Sequence, residues 1–170
     1  MASAIAEIES CIPALRRYAS ALLRDRQEVD DRVHDCLVRA LDRLHTHRED
    51  AELRPWLFAI MHNLFVSRIR RVKRRGVMEP IEAADLAALG QRADQEDPLS
   101  RQDLMRALGE LPEDQRSVLL LVAVEDLPYA ETARILGVPI GTVMSRLSRA
   151  REKLRRSMGE EAPPVLRRVK

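Results

Sequence analysis

The chain has 170 residues, 45% hydrophobic and 33% charged, with a formal net charge of +2. That length holds one ordinary domain or two small ones and excludes a large barrel or an elaborate multidomain enzyme. The charge density, and the lack of any apolar run near ~18 residues, predict no membrane span, and acids in MASAIAEIES, where a secretory signal would be greasy, predict a cytosolic protein.

Aromatic residues make up 3% of the chain and glycines number 6, while Ala, Leu, Arg and Glu dominate. Such a mixture favours helices over strands, so the expected fold class is all-α. Cys11 and Cys36 form no C-x-x-C, which argues against a disulfide framework and a cysteine-rich zinc site.

The first block runs from about Ile5 to Gly76. Val33, Leu37, Ala40, Leu41 and Leu44 recur at helical spacing, so Asp31 to Leu44 is predicted to be an amphipathic helix presenting Asp31, Asp35, Arg39 and Asp42 outward. His45 to Glu52 is polar and aperiodic and reads as a loop. Pro55 suits the first turn of the next helix, where its missing N–H costs nothing. Trp56, Leu57, Ile60, Leu64 and Phe65 continue that helix, with Trp56 expected in the core, until it stops near Gly76. Its end is strongly basic: Arg68, Arg70, Arg71, Lys73, Arg74 and Arg75, with no acid among them.

From Gly76 to Leu99 the charge reverses, with Glu79, Glu82, Asp85, Asp94, Glu96 and Asp97 against Arg92 alone. This stretch reads as a linker holding at most a short helix around Ile81 to Leu89. The second block runs from about Ser100 to Met158. Leu111-Pro112-Glu113-Asp114 opens a helix, with acids at the positive end of its dipole, and the apolar run Val118 to Val124 continues it. The tail Glu161 to Lys170 is expected to be disordered.

The sharpest pattern is Leu127 to Arg156. Tyr129, Ala133 and Leu136 share one side of a short helix that Gly137 can end in a left-handed conformation. Val138-Pro139 turns the corner into a second helix, with Ile140, Val143 and Leu147 toward the core. This is a helix-turn-helix pattern. Thr142, Met144, Ser145, Ser148 and Arg149 face outward, short near the helix start and basic beyond, as a helix entering a major groove requires. Basic residues cluster on this helix and acids on the preceding one (Glu125, Asp126, Glu131), which favours DNA binding over a merely soluble hairpin. Two basic patches flanking an acidic stretch suggest two surfaces for a polyanion.

His45 and His47 read as surface loop residues, His34 and Cys36 point to different faces, and His62 reads as a partly exposed polar contact. No ligand set for a metal and no cofactor are implied. No nucleophile elbow, phosphate loop, zincin motif or carboxylate pair is present, so no catalytic residues are assigned and the chain is not expected to be an enzyme.

The stretch LPEDQRSVLLL…LPYAETARILGVPIGTVMSRLSRAREKLR resembles the sigma-four domain of the extracytoplasmic-function group of bacterial sigma factors. VDDRVHDCLVRALDRL resembles that family's clamp-docking helix. LRPWLFAIMHNLFVSRIRRVKRR resembles its promoter-melting helix, with the W-L-x-x-I-x-x-N pattern at Trp56, Leu57, Ile60 and Asn63. The resemblance spans about Tyr18 to Met158. It implies a sigma-two-like domain over 1–76, a linker over 77–99, a sigma-four-like domain over 100–160 and a tail over 161–170, in a bacterial cytoplasmic protein.

The resemblance also implies roles. Asp31, Asp35 and Arg39 would hold core RNA polymerase at the β′ clamp, with a further contact to the β flap. The loop with His47 and Arg48 would capture a base flipped from the minus-ten element, His47 standing where an aromatic ring is common. Asn63 would meet a base edge, while Arg68, Arg70, Arg71, Lys73, Arg74 and Arg75 would track phosphates. Thr142, Met144, Ser145, Ser148 and Arg149 would read the minus-thirty-five element, with Arg146 and Arg151 nearer the backbone. An anti-sigma factor is an expected partner beside promoter DNA. The competing expectations are a conventional helix-turn-helix regulator that ignores polymerase and a decoy that titrates an anti-sigma factor.

Overall fold

The computed structural model describes residues 2–23, 25–48, 51–75 and 98–159, and these are helices and turns with no strand among them. The chain divides into two compact units, Met1–Ala84 and Asp85–Lys170. The expected helix around Ile81 to Leu89 and the tail from Glu161 to Lys170 lie outside the described residues.

The first unit is three mutually packed helices: α1 (Ala2–Leu22), α2 (Arg26–Arg43) and α3 (Leu53–Arg75). Ile8, Cys11, Leu15, Tyr18 and Leu22 are the buried stripe of α1, recurring three and four residues apart. Asp25 caps α2, its carboxylate accepting from the Gln27 N–H at 2.7 Å. That cap starts the helix well before Asp31, and the buried stripe runs through Val29, Val33, Cys36 and Ala40. The expected stripe was therefore set at the wrong angle: Leu41 is 51% exposed, while Leu37 and Leu44 are half-buried. Counting leucines overlooked the small apolar Cys36 as a core position.

On α3, Leu57, Phe58, Met61, Leu64 and Phe65 are buried. Tyr18 meets Phe58 edge to face with centroids 5.5 Å apart, and the Cys36 thiol donates to the Leu57 carbonyl at 3.6 Å. Burial pushes that thiol up from 9.0 to about 12, against a smaller opposing pull from Arg39. Tyr18, Phe58, Leu15, Leu57 and Met61 are among the largest fully buried side chains, each contributing about 1.5–3 kcal/mol of transfer free energy.

The second unit holds α4 (Pro98–Gly109), α5 (Glu113–Leu119), α6 (Tyr129–Leu136) and α7 (Ile140–Met158). Met105, Leu108, Leu111, Val118, Leu119, Val122, Val143, Leu147 and Leu154 belong to its core. The Arg116 guanidinium donates to the carbonyls of Gly109 at 2.7 Å and Leu111 at 2.8 Å, satisfying one acceptor that the end of α4 leaves open and one in the turn that follows it. The apolar run after Val118 departs from a single buried α-helix. The chain widens to a π-helical turn over Leu120–Val124, the Glu125 N–H reaching back to the Leu120 carbonyl at 2.9 Å. Val118 to Val122 are buried, whereas Ala123 and Val124 are exposed.

Candidate nucleic-acid interface

In the second unit, α6 ends where Gly137 takes φ 64° and ψ 37°, a left-handed conformation that costs a residue with a Cβ about 1–2 kcal/mol. The Val138 N–H then bonds the Ala133 carbonyl at 3.1 Å, closing the helix end as expected. Pro139 caps α7. Val143, Leu147, Ala150 and Leu154 bury one side of α7 against a layer that includes Ala133 of α6. Ile140 does not join them. Lying at the first residue of the helix and on the flank of that stripe, it is 49% exposed, so its expected place in the core is corrected.

Met144, Ser145, Ser148 and Arg149 are exposed on α7, and Thr142 is half-buried. The Ser145 hydroxyl donates to the Thr142 carbonyl at 3.1 Å, which turns it along the helix. The basic residues divide into groups. Arg146 pairs with Asp114 at 3.3 Å, Lys153 donates to the Glu110 carbonyl at 2.7 Å, and Arg155 and Arg156 share Glu152. Arg151 is half-buried. Among the described residues no carboxylate pairs with Arg149, which leaves its guanidinium the most available for an external anion.

In the first unit, Asp31, Asp35 and Arg39 are spaced four apart and share one face of α2. Asp31 and Arg39 are exposed, and Asp35 accepts from Arg32 at 3.0 Å. Val38 and Leu41 are exposed near them on the helix.

After α2 the chain makes one 3₁₀ turn, Leu44–Thr46, so the expected loop begins with ordered structure. His47 is folded onto Trp56, ring centroids 4.7 Å apart at 59°. Trp56 is accordingly half-buried, a floor for the loop rather than the core residue expected. Arg48 is exposed; Glu49 lies outside the described residues.

Along α3, Asn63 is exposed, while His62 Nδ1 meets the Tyr18 hydroxyl at 3.2 Å. Arg68 is engaged within the unit, its guanidinium holding both oxygens of Glu28 at 2.6 and 2.7 Å. Arg70, Arg71 and Arg74 are exposed and with Ser67 line an open groove of about 450 Å³. The side chains of Lys73 and Arg75 lie outside the described ones.

Sequence reasoning missed the Glu28 partner of Arg68, the tilted contact of His47 on Trp56 and the exposure of Ile140. The first two are contacts between separate elements, for which the sequence carries no local signal. The cap at Asp25 was readable as an N-cap residue ahead of Glu28. Among the described residues no three His, Cys, Asp or Glu side chains gather to hold a metal ion, and no helix is long and apolar enough to cross a membrane.

The family described as Sigma-70, region 4 matches residues 101–154, and the one described as the Sigma2 domain of PhyR matches residues 8–62. The ECF RNA polymerase sigma factor EcfG of Rhodopseudomonas palustris is 36% identical over 87% of this chain and 81% of its own length. The ECF RNA polymerase sigma-E factor of Escherichia coli is 31% identical over 83% and 77%. Among solved structures, the sigma factor RpoE of Bartonella quintana, in complex with the anti-sigma factor NepR, superposes with a TM-score of 0.82. It is 29% identical, over 95% of this chain and 100% of that one. CnrH in complex with the cytosolic domain of CnrY gives 0.64 at 27% identity, over 91% and 86%.

Proposed function

The chain belongs to the extracytoplasmic-function sigma factors of the sigma-70 family, the promoter-specificity subunits of RNA polymerase, and on that premise we propose how its residues divide the work. The first domain, 1–76, docks on the β′ clamp through the α2 face of Asp31, Asp35 and Arg39. Its α3 helix opens and reads the minus-ten element. Asn63 meets an exposed base edge, His47 and Arg48 border the capture loop, and Arg70, Arg71 and Arg74 follow phosphates. The second domain, 100–160, contacts the β flap and sets α7 in the major groove of the minus-thirty-five element, with Arg149 as its principal cation. The chain itself carries no catalytic residue: it supplies address and strand opening, and polymerisation is the core enzyme's chemistry.

The observation that supports this most is the availability of charge on α3 and α7. Ion pairs within each unit engage Arg68 and Arg146, while Arg70, Arg71, Arg74 and Arg149 remain exposed. Cations left on the solvent side of two separate helices suit a polyanion met twice.

The proposal includes control by an anti-sigma factor, because the structurally similar sigma factor RpoE was solved in complex with the anti-sigma factor NepR. Such a partner would cover the α2 face and so compete with core polymerase. Transcription by purified core across a promoter library, with and without the chain, tests the whole reading. Promoter-dependent transcripts with two conserved elements at fixed spacing are expected. A chain that leaves core polymerase unbound would instead be a conventional regulator.

A further inference from the structure

The first two turns of α7 carry two large apolar side chains that their own unit leaves uncovered, Ile140 at 49% and Met144 at 53% exposure. They stand four residues apart and therefore share one flank of the helix. Beside them on the solvent side are Ser145, Ser148 and Arg149, short or cationic groups that let a helix sit deep against an anionic surface. Charge names the occupant: a helix presenting Arg149, with further basic residues toward its end, selects a nucleic acid over an apolar protein groove. The N-terminal residues of a recognition helix are those that reach base edges. In the major groove only thymine offers an apolar group, its C5-methyl.

Resting on the reading of α7 as the minus-thirty-five helix, we infer that Ile140 and Met144 are specificity-determining residues that pack against thymine methyl groups. Isoleucine supplies a fixed branched surface at the helix start. Methionine, unbranched and polarizable, adapts to a methyl displaced by the local twist of the duplex. Neither side chain can donate to a guanine edge, so this flank selects by shape and water exclusion, and hydrogen-bonded reading falls to Arg149.

The test uses the full chain bound to core polymerase and the minus-thirty-five duplex that this holoenzyme selects from a randomised pool. Each thymine is replaced in turn by deoxyuridine, which removes one methyl and leaves every hydrogen-bonding group. At one or two positions the wild-type affinity should fall about fourfold, the effect of one lost methyl burial. Ile140→Ala or Met144→Ala, on exposed positions, should be nearly indifferent to the same replacement. A selected element without thymine, a uracil scan that is flat throughout, or a loss undiminished in both variants overturns the inference. The scan on wild-type protein stands alone even if a variant folds poorly. Failure to select any duplex would instead overturn the reading of α7, a result distinct from a flat scan on a tightly bound element.

Discussion

Arg68 of α3 and Glu28 of α2, forty residues apart, are joined through both carboxylate oxygens at 2.6 and 2.7 Å. The pair fixes the point where α3 leaves the core of the first unit. It also separates Arg68 from the arginines that follow. With each side chain about one-third exposed, the pair is worth about 0.5–1 kcal/mol after solvent screening. Arg68→Ala should therefore lower the melting temperature of the first unit by about 3–6 °C. Arg71→Ala should leave it unchanged. Equal thermal shifts for the two, read by calorimetry, would contradict the separation.

Arg71 and Arg74 should show the opposite profile, silent in melting and visible in DNA binding. Each alanine substitution should weaken promoter binding by the holoenzyme across sequences and reduce the slope of log K against log salt by about 1. Arg149→Ala should cost about 1–3 kcal/mol and relax preference at one position of the minus-thirty-five element. A titration over salt concentrations measures both. An unchanged slope for Arg71→Ala would remove it from the phosphate contacts.

Cys36 links the stability of the first unit to alkaline pH. Its thiol titrates at about 12 in the fold against 9.0 for the unperturbed group, raised by burial. The unfolded chain therefore releases this proton first. The stabilising contribution is complete below pH ~9 and declines by about 1.4 kcal/mol per pH unit as pH rises toward ~12. Urea unfolding at pH 8 and pH 10.5 should show wild type losing about 2 kcal/mol more than Cys36→Ala. Equal losses would mean the thiol is not desolvated.

Gly137 should tolerate asparagine better than alanine. Space is no obstacle, since an added Cβ meets nothing within 4 Å, and the penalty comes from φ +64° alone. Gly137→Ala should destabilise the second unit by about 1–2 kcal/mol, while Gly137→Asn should retain most of that stability because asparagine visits this region more readily. Paired denaturation curves decide it, and identical costs would place the strain elsewhere.

The parts of the fold legible in the sequence were those set by local rules. Gly137 ended α6 in the expected conformation, Val143 and Leu147 faced the core, and Pro55 began the α3 run within its first turn. Less was legible where tertiary packing chose among apolar residues. The angle of α2 was decided by Cys36 and Val29 against α3, which hydrophobic spacing from Asp31 onward could not reveal. The α1 stripe from Ile8 to Leu22 passed unassigned amid acids and an internal Pro13. Within the candidate interface, sequence identified the charged residues but not their engagement. Arg68 and Arg74 look alike in the sequence, and only the fold brings Glu28 to one of them.

Initiation on two versions of one selected promoter, fully duplex and with the minus-ten region already unpaired, tests the division of labour most directly. A variant with Arg70, Arg71 and Arg74 changed to alanine should fail on the duplex and recover on the pre-opened template. Arg149→Ala should remain impaired on both. Recovery of neither variant, or of both alike, would contradict the assignment of strand opening to α3 and upstream anchoring to α7.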